Sequence, residues 1–284
     1  MRNTARSRTY RTVVGLLFYA FASALVLVWL LPIVIAVFTS VKSMDEIMSS
    51  PAMWKPPKVW RWGNFAEVWG KVGMSRYVLN TFVIAIPSVL VALLVSSLSA
   101  FALAVYRFKL NKAVLILFVA GMLIPFQMLM IPVFRLSDAI GVRDSFPGVI
   151  LFHVAFQLGF CTFFLRNFMR TIPFSLVEAP RMDGAGEFLI YRKIILPLSI
   201  SSLAALGVLE FTWIWNDLLW SLVLLQSDAL KPVTLGLANM QGEFVQYYNM
   251  TAAGSIIAAL APLGVFLVFQ RYFIEGLTVG AEKG

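Results

Sequence analysis

The chain has 284 residues, 60% of them hydrophobic and only 13% charged, with a mean hydropathy of +0.84. A soluble domain carries about 25% charged residues, so an ordinary soluble fold is excluded and the chain falls in the membrane class. The formal net charge of +9 is not a nucleic-acid footprint, because the basic residues flank apolar runs, where they fit membrane topology and anionic lipid.

Residues 1–12 carry Arg2, Arg6, Arg8 and Arg11 and no acid, and an apolar run follows from Val13 to Phe38. Ala22-Ser23-Ala24 resembles a signal cleavage site, but the run is too long for a signal h-region. A first membrane span with its N-terminus inside is expected. Residues 39–77 are polar and aromatic, with Trp54, Trp60, Trp62 and Trp69. They read as an interfacial belt or a short external amphipathic segment rather than as a sugar-stacking platform. Val78 to Tyr106 is the second predicted span, with Pro87 as a kink site, and Arg107, Lys109 and Lys112 follow in a very short loop. The third runs from Ala113 to about Phe134 and holds Gln127 between Pro125 and Pro132; the fourth is Phe146 to Leu165.

Ser175 to Pro197 is the longest stretch that would suit a soluble protein. Ser175 and Glu178 have capping-box spacing, so a short helix should start there. Asp183-Gly184 signals a turn, and a second helical stretch is predicted from Glu187 to Ile194. Ile194 to Leu225 is then too long for one straight crossing, about 48 Å of helix, and should break at Trp215-Asn216-Asp217. Residues 226–250 read as a polar outer loop, and Thr251 to Gln270, with Pro262, as the sixth span. Lys and Arg are concentrated on the N-terminal side of the first span and in the short loops of the same face. The loop over 42–76 is richer in them than that pattern prefers. Six spans with both termini inside are expected.

Glu178-Ala179, Gly184 and Ile194-x-Leu196-Pro197 keep the spacing of the EAA motif, and Asp183-Gly184-Ala185 matches its DGA. The stretch therefore resembles the EAA loop in permease subunits of binding-protein-dependent ABC importers. Pro180 departs from the motif, standing where a second Ala is usual. Because proline lacks an amide hydrogen, a bent or interrupted helix near Ala179 is expected. The resemblance implies that residues 173–197 form a coupling helix and its flanks, seated on a cytoplasmic ATPase. The coupling residues would be Glu178, Ala179, Pro180, Arg181, Asp183, Gly184, Ala185 and Phe188.

No G-x-x-x-x-G-K-[ST] occurs, nor any nucleophile–base pair or His/Cys/Asp cluster, so the chain is not expected to be an enzyme. The single Cys161 and single His153 lie in apolar runs and read as packing residues, so neither a metal nor another cofactor is expected. Glu210 and Asp217 stand in the fifth apolar run, seven residues apart, and share a face if that helix is unbroken. An acid in hydrocarbon is costly, so both should face protein or a water-filled path. For Glu210 a hydrogen bond between subunits is an even alternative.

The segment FTWIWNDLLWSLVLL resembles the stretch near the outer gate of maltose-type permeases, and residues from KPVTLGLANMQGEF onward resemble the end of that group. YVLNT at 77–81 resembles it more weakly. On this resemblance the chain is an all-α polytopic bundle of six transmembrane helices with a cytoplasmic coupling helix. It forms a single domain over residues 1–284, with its core at about 72–271. It would translocate a sugar, polyol or glycerophosphodiester across a bacterial or archaeal cytoplasmic membrane. The expected translocation residues are Gln127, Glu210, Asn216 and Asp217. The implied partners are a second permease subunit, two ATPase subunits hydrolysing ATP, an extracytoplasmic solute-binding protein and membrane lipid, with no nucleic acid. The resemblance also implies that Gly280 to Gly284 reach the ATPase interface, although Glu282 replaces a usual apolar residue. A permease for amino acids or peptides and an ion-coupled carrier are the alternatives.

Overall fold

The computed structural model describes residues 2–49, 52–240 and 247–278, with backbone course alone for 2–13 and 273–278. The described residues are helical or irregular, with no strand. They divide into two units, residues 1–72 with 240–257, and residues 73–239 with 258–284.

In the first unit, α1 runs from Arg2 to Ser40, and its apolar portion Val14–Ser40 is long enough to cross a membrane. Two short helices follow, α2 (Met44–Ser49) and α3 (Gly63–Gly70). The Asn64 side chain ties α3 to the end of α1, donating to the Ser40 and Lys42 carbonyls at 2.8 and 2.9 Å. Trp60 stacks on Trp62 at 5.8 Å, and both rings stay exposed. This suits the interfacial aromatic belt expected of residues 39–77.

The second unit is built on α4 (Met74–Val105), which continues unbroken through Pro87, and α7 (Phe146–Met169). Between them, α5 (Asn111–Met122) and α6 (Met130–Ala139) are separated by a short 3-10 turn, Phe126–Leu129. The third apolar run is thus not one straight span: it turns by 90° between Asn111–Met122 and Phe126–Ala139. Pro125 accounts for this, because the residue before a proline is pushed out of the helical region. Close packing of α5 on α7 requires Gly159, where a Cβ would lie 2.9 Å from the Phe118 carbonyl oxygen.

The loop stretch contains α8 (Ser175–Met182), α9 (Glu187–Ile190), a π-turn at Tyr191–Ile195 and α10 (Leu196–Leu198). The chain then bends by 73° into α11 (Ile200–Trp215). Sequence reasoning did not anticipate this bend. The break expected at Trp215-Asn216-Asp217 is present, since α11 ends at Trp215 and α12 spans Leu219–Leu224. Beyond it come α13 (Val233–Asn239) and α14 (Tyr248–Thr278), whose Tyr248–Tyr272 portion forms an apolar span. Among the described residues, four helices are long and apolar enough to cross a membrane, and up to six spans result if each bent pair counts as one.

The YVLNT stretch has a structural task. Asn80 donates to the Ala229 and Lys231 carbonyls at 2.8 and 3.0 Å, and the Thr81 hydroxyl accepts the Val233 amide at 2.8 Å. These bonds lay residues 229–236 on α4, with Gly236 against the Tyr77 ring, where a Cβ would sit 2.2 Å away.

A second tie joins the α6–α7 turn to residues 226–227. The Asp144 carboxylate accepts the Gln226 and Ser227 amides at 2.8 and 2.9 Å, and also the Ser227 hydroxyl. The Ser227 hydroxyl first, and the amides with it, hold the Asp144 carboxyl below its ordinary range. Since the folded pKa is the lower one, the tie is fully present above the unfolded carboxylate range and is lost as pH falls through the depressed value. Asp144→Ala should therefore lower the protection of the Gln226 and Ser227 amides against hydrogen exchange at neutral pH, to about the protection factor the unmodified protein shows only in acid.

Candidate functional site

Two sites emerge, both within the second unit. At the first, α8 begins without the expected capping box: Phe174 is the cap residue, it makes no side-chain cap bond, and Ser175 is the first helical position. Pro173 starts the turn one residue early, with its carbonyl taking the Leu176 amide at 3.1 Å and the Phe174 carbonyl taking the Val177 amide at 2.9 Å. Nor is α8 interrupted at Ala179, since it runs continuously through Pro180 to Met182. A proline's fixed φ suits a helix, and here the lost bond falls on the carbonyl of exposed Leu176, which water can satisfy.

The end of α8 explains the glycine. The Gly184 amide donates to the Arg181 carbonyl at 3.1 Å and the Ala185 amide to the Pro180 carbonyl at 2.9 Å, which is a Schellman cap. Gly184 has φ of +81°, and a Cβ there would meet open space. The demand for glycine is therefore conformational rather than steric.

One side of this loop is anchored. Val177 and Ile190, 2% and 1% exposed, enter a cluster with Ala100, Phe101, Leu165 and Leu206. The Arg181 guanidinium grips the Glu187 carboxylate with two bonds of 2.7 and 3.0 Å. Tyr106, at the end of α4, sits beside the same carboxylate, and the pKa of its hydroxyl is pushed up to about 12, by burial first and then by Glu187. Tyr191 shares a 2.7 Å hydrogen bond with Ser97 of α4. The other side is open: Glu178, Ala179, Asp183 and Phe188 are exposed, and so are Met182 at 87% and Leu189 at 50%. Met182 and Leu189 were not among the expected coupling residues. Their signal was available, as large apolar side chains in an otherwise polar stretch.

The second site is a cavity of about 410 Å³ beside the α11–α12 break. Its polar lining is His153, Gln157 and Asp217, and its aromatic walls include Trp213 and Trp220. The Asp217 carboxylate accepts the Trp220 amide at 3.2 Å and both the amide and hydroxyl of Ser221 at 3.0 Å, so it caps α12. His153 Nε2 lies 3.7 Å from Asp217 and has no hydrogen-bond partner among the described residues. Trp220 stacks on Phe156 with ring centres 4.5 Å apart.

Of the expected translocation residues, Asp217 alone lines this cavity. Gln127 and Asn216 are exposed, and the Asn216 amide donates back to the Thr212 carbonyl at 2.8 Å. Glu210 is fully buried and accepts the Cys161 thiol at 3.2 Å. Because the helix breaks after Trp215, Glu210 and Asp217 no longer share one continuous face. Sequence reasoning took His153 for packing, whereas it faces the cavity. Its weak signal was a lone polar ring within an apolar run.

Comparison with known proteins bears on both sites. The family model for the binding-protein-dependent transport system inner membrane component matches residues 92–275. The osmoprotective compounds uptake permease protein GgtD of Synechocystis sp. is 34% identical over 262 residues, covering 90% of this chain and 88% of that protein. The arabinooligosaccharides transport system permease protein AraQ of Bacillus subtilis is 31% identical over 286 residues, the whole of both chains. A chain of the crystal structure of a bacterial ABC transporter for import of the acidic polysaccharide alginate shares the fold. It has a TM-score of 0.81 at 21% identity, over 92% of this chain and 96% of that one.

The Schellman cap gives a test at the loop. Gly184→Leu should cost about 1–2 kcal/mol of local order, because a side chain opposes the left-handed conformation, whereas Gly184→Asn should be tolerated better. Amide hydrogen exchange at Gly184 and Ala185 should quicken most for Leu.

Proposed function

The chain belongs to the family of binding-protein-dependent transport system inner membrane components, and from that premise we propose that it carries a sugar or related polyhydroxy solute inward. It is a non-catalytic permease subunit of an ABC importer, with several apolar spans in the membrane. The proposed assembly pairs it with a second permease subunit and two cytoplasmic ATPases, and an extracytoplasmic binding protein delivers the solute. The exposed face of α8 and α9, with Met182 and Phe188, would receive the ATPase, which puts that face and both termini on the cytoplasmic side. The proposed contact of residues 280–284 with the ATPase lies outside the described residues.

The observation that carries the choice of solute is the cavity at the α11–α12 break. Its volume falls in the range of small-molecule sites. A carboxylate and an imidazole there offer an acceptor and a donor to hydroxyl groups, and Trp213 and Trp220 offer flat apolar rings to the carbon faces of a sugar. Relatives named for arabinooligosaccharides and for melibiose, raffinose and stachyose support a carbohydrate.

Asp217→Asn tests the proposal, because the amide oxygen can keep the two bonds from Ser221 and gives up only the longer one from Trp220 while the charge is gone. Solutes are first screened on the binding protein, and transport is then followed in the reconstituted complex. We expect normal assembly and a half-saturating solute concentration raised by about tenfold, the effect of one charge-assisted hydrogen bond. Unchanged transport kinetics in an intact Asp217→Asn complex would contradict a role in the pathway.

A further inference from the structure

A third concavity, of about 660 Å³, lies at the end of the bundle from which α8 emerges. It is lined by the end of α4, the linker to α5, the end of α7 and Phe174, the residue before α8. Five cations border it: Arg107, Lys109, Lys112, Arg166 and Arg170. No carboxylate lies within 4.0 Å of any of them among the described residues, whereas Arg181 nearby is fully engaged by Glu187. Basic residues at a membrane face ordinarily need no further explanation than topology, but these are held in place. Arg166 Nε donates to the Leu103 carbonyl at 3.3 Å, and its terminal nitrogens make no hydrogen bond within the described protein. The Asn111 amide donates to that same carbonyl at 3.1 Å and to the Tyr106 carbonyl at 2.9 Å, which fixes the path of the linker that carries Arg107 and Lys109.

Apolar surface adjoins the cations on the membrane side. Phe108, Leu110 and Phe174 are 44%, 65% and 44% exposed. Along α5 no residue is buried, and Ile116 and Leu117 are 56% and 71% exposed. A free phosphate or a nucleotide would use the cations and leave this apolar shelf bare. A lipid with a phosphate head and acyl chains would use both.

We propose that this concavity binds the headgroup of an anionic phospholipid, with the acyl chains lying along α5. The ligand would then touch Phe174 at the root of α8, so the lipid steadies the loop that receives the ATPase. The proposal rests on the transport reading for two things, that this face is the cytoplasmic one and that the loop receives the ATPase.

The test uses the assembled complex in mild detergent, without solute or ATP, so lipid binding and transport can fail separately. Phosphatidylglycerol and phosphatidylcholine are titrated and bound lipid is counted by native mass spectrometry. We expect phosphatidylglycerol to bind at least about fivefold more tightly, and Lys109→Gln/Lys112→Gln to weaken it about fivefold per charge removed. Both lysines are exposed, so the variant should fold, and Lys55→Gln/Lys58→Gln serves as a charge-matched control with unchanged binding. Equal affinity for the two lipids, a preference that survives in Lys109→Gln/Lys112→Gln, or displacement of the lipid by millimolar inorganic phosphate would each overturn the proposal.

Discussion

Everything attributed to the α8–α9 loop depends on two side chains, Val177 and Ile190, being seated in the apolar cluster where α4, α7 and α11 meet. Burying each contributes about 1.5–3 kcal/mol relative to exposure. The Schellman cap at Gly184 and the double bond between Arg181 and Glu187 then hold the segment between these anchors to one path. Tyr191 on Ser97 also ties the segment to α4. The loop is thereby fastened to the bundle at several points.

The broken spans obey a related constraint. Irregular backbone at membrane depth is tolerated only where protein or a wet cavity satisfies its polar groups. The α11–α12 break meets this through Asp217, whose carboxylate takes the amides of Trp220 and Ser221, and whose carbonyl accepts the Thr234 hydroxyl. The break after α5 places Ile124 and Phe126 on the same cavity as Asp217. Two interruptions of regular helix thereby open onto one largely aromatic concavity that also holds His153, Gln157 and Asp217.

Much of this was legible in the residues. Apolar run lengths gave the helices of the first, second, fourth and sixth spans, and the excess length of Ile194 to Leu225 gave the break at Asn216-Asp217. Motif spacing located the loop, and Asp183-Gly184 located its turn. What was not legible depends on tertiary partners. Ser175 looked like a cap, but Pro173 starts the helix first. Pro180 looked disruptive, yet the carbonyl it leaves unpaired belongs to an exposed residue. The bend before Ile200 has no glycine or proline at its apex, since Ser199 stands there and Pro197 lies two residues earlier. His153 reads as packing until α11 ends and delivers Asp217 beside it.

We propose that the Arg181–Glu187 clamp keeps the loop in the form that would receive the ATPase. A charge exchange in the reconstituted complex tests it directly, with solute-stimulated ATP hydrolysis and transport measured together. Arg181→Glu and Glu187→Arg should each uncouple the two, leaving hydrolysis that no longer responds to solute, while the double exchange restores the pair and most of the coupling. Full coupling in either single variant, or a double variant no better than the singles, would contradict the claim.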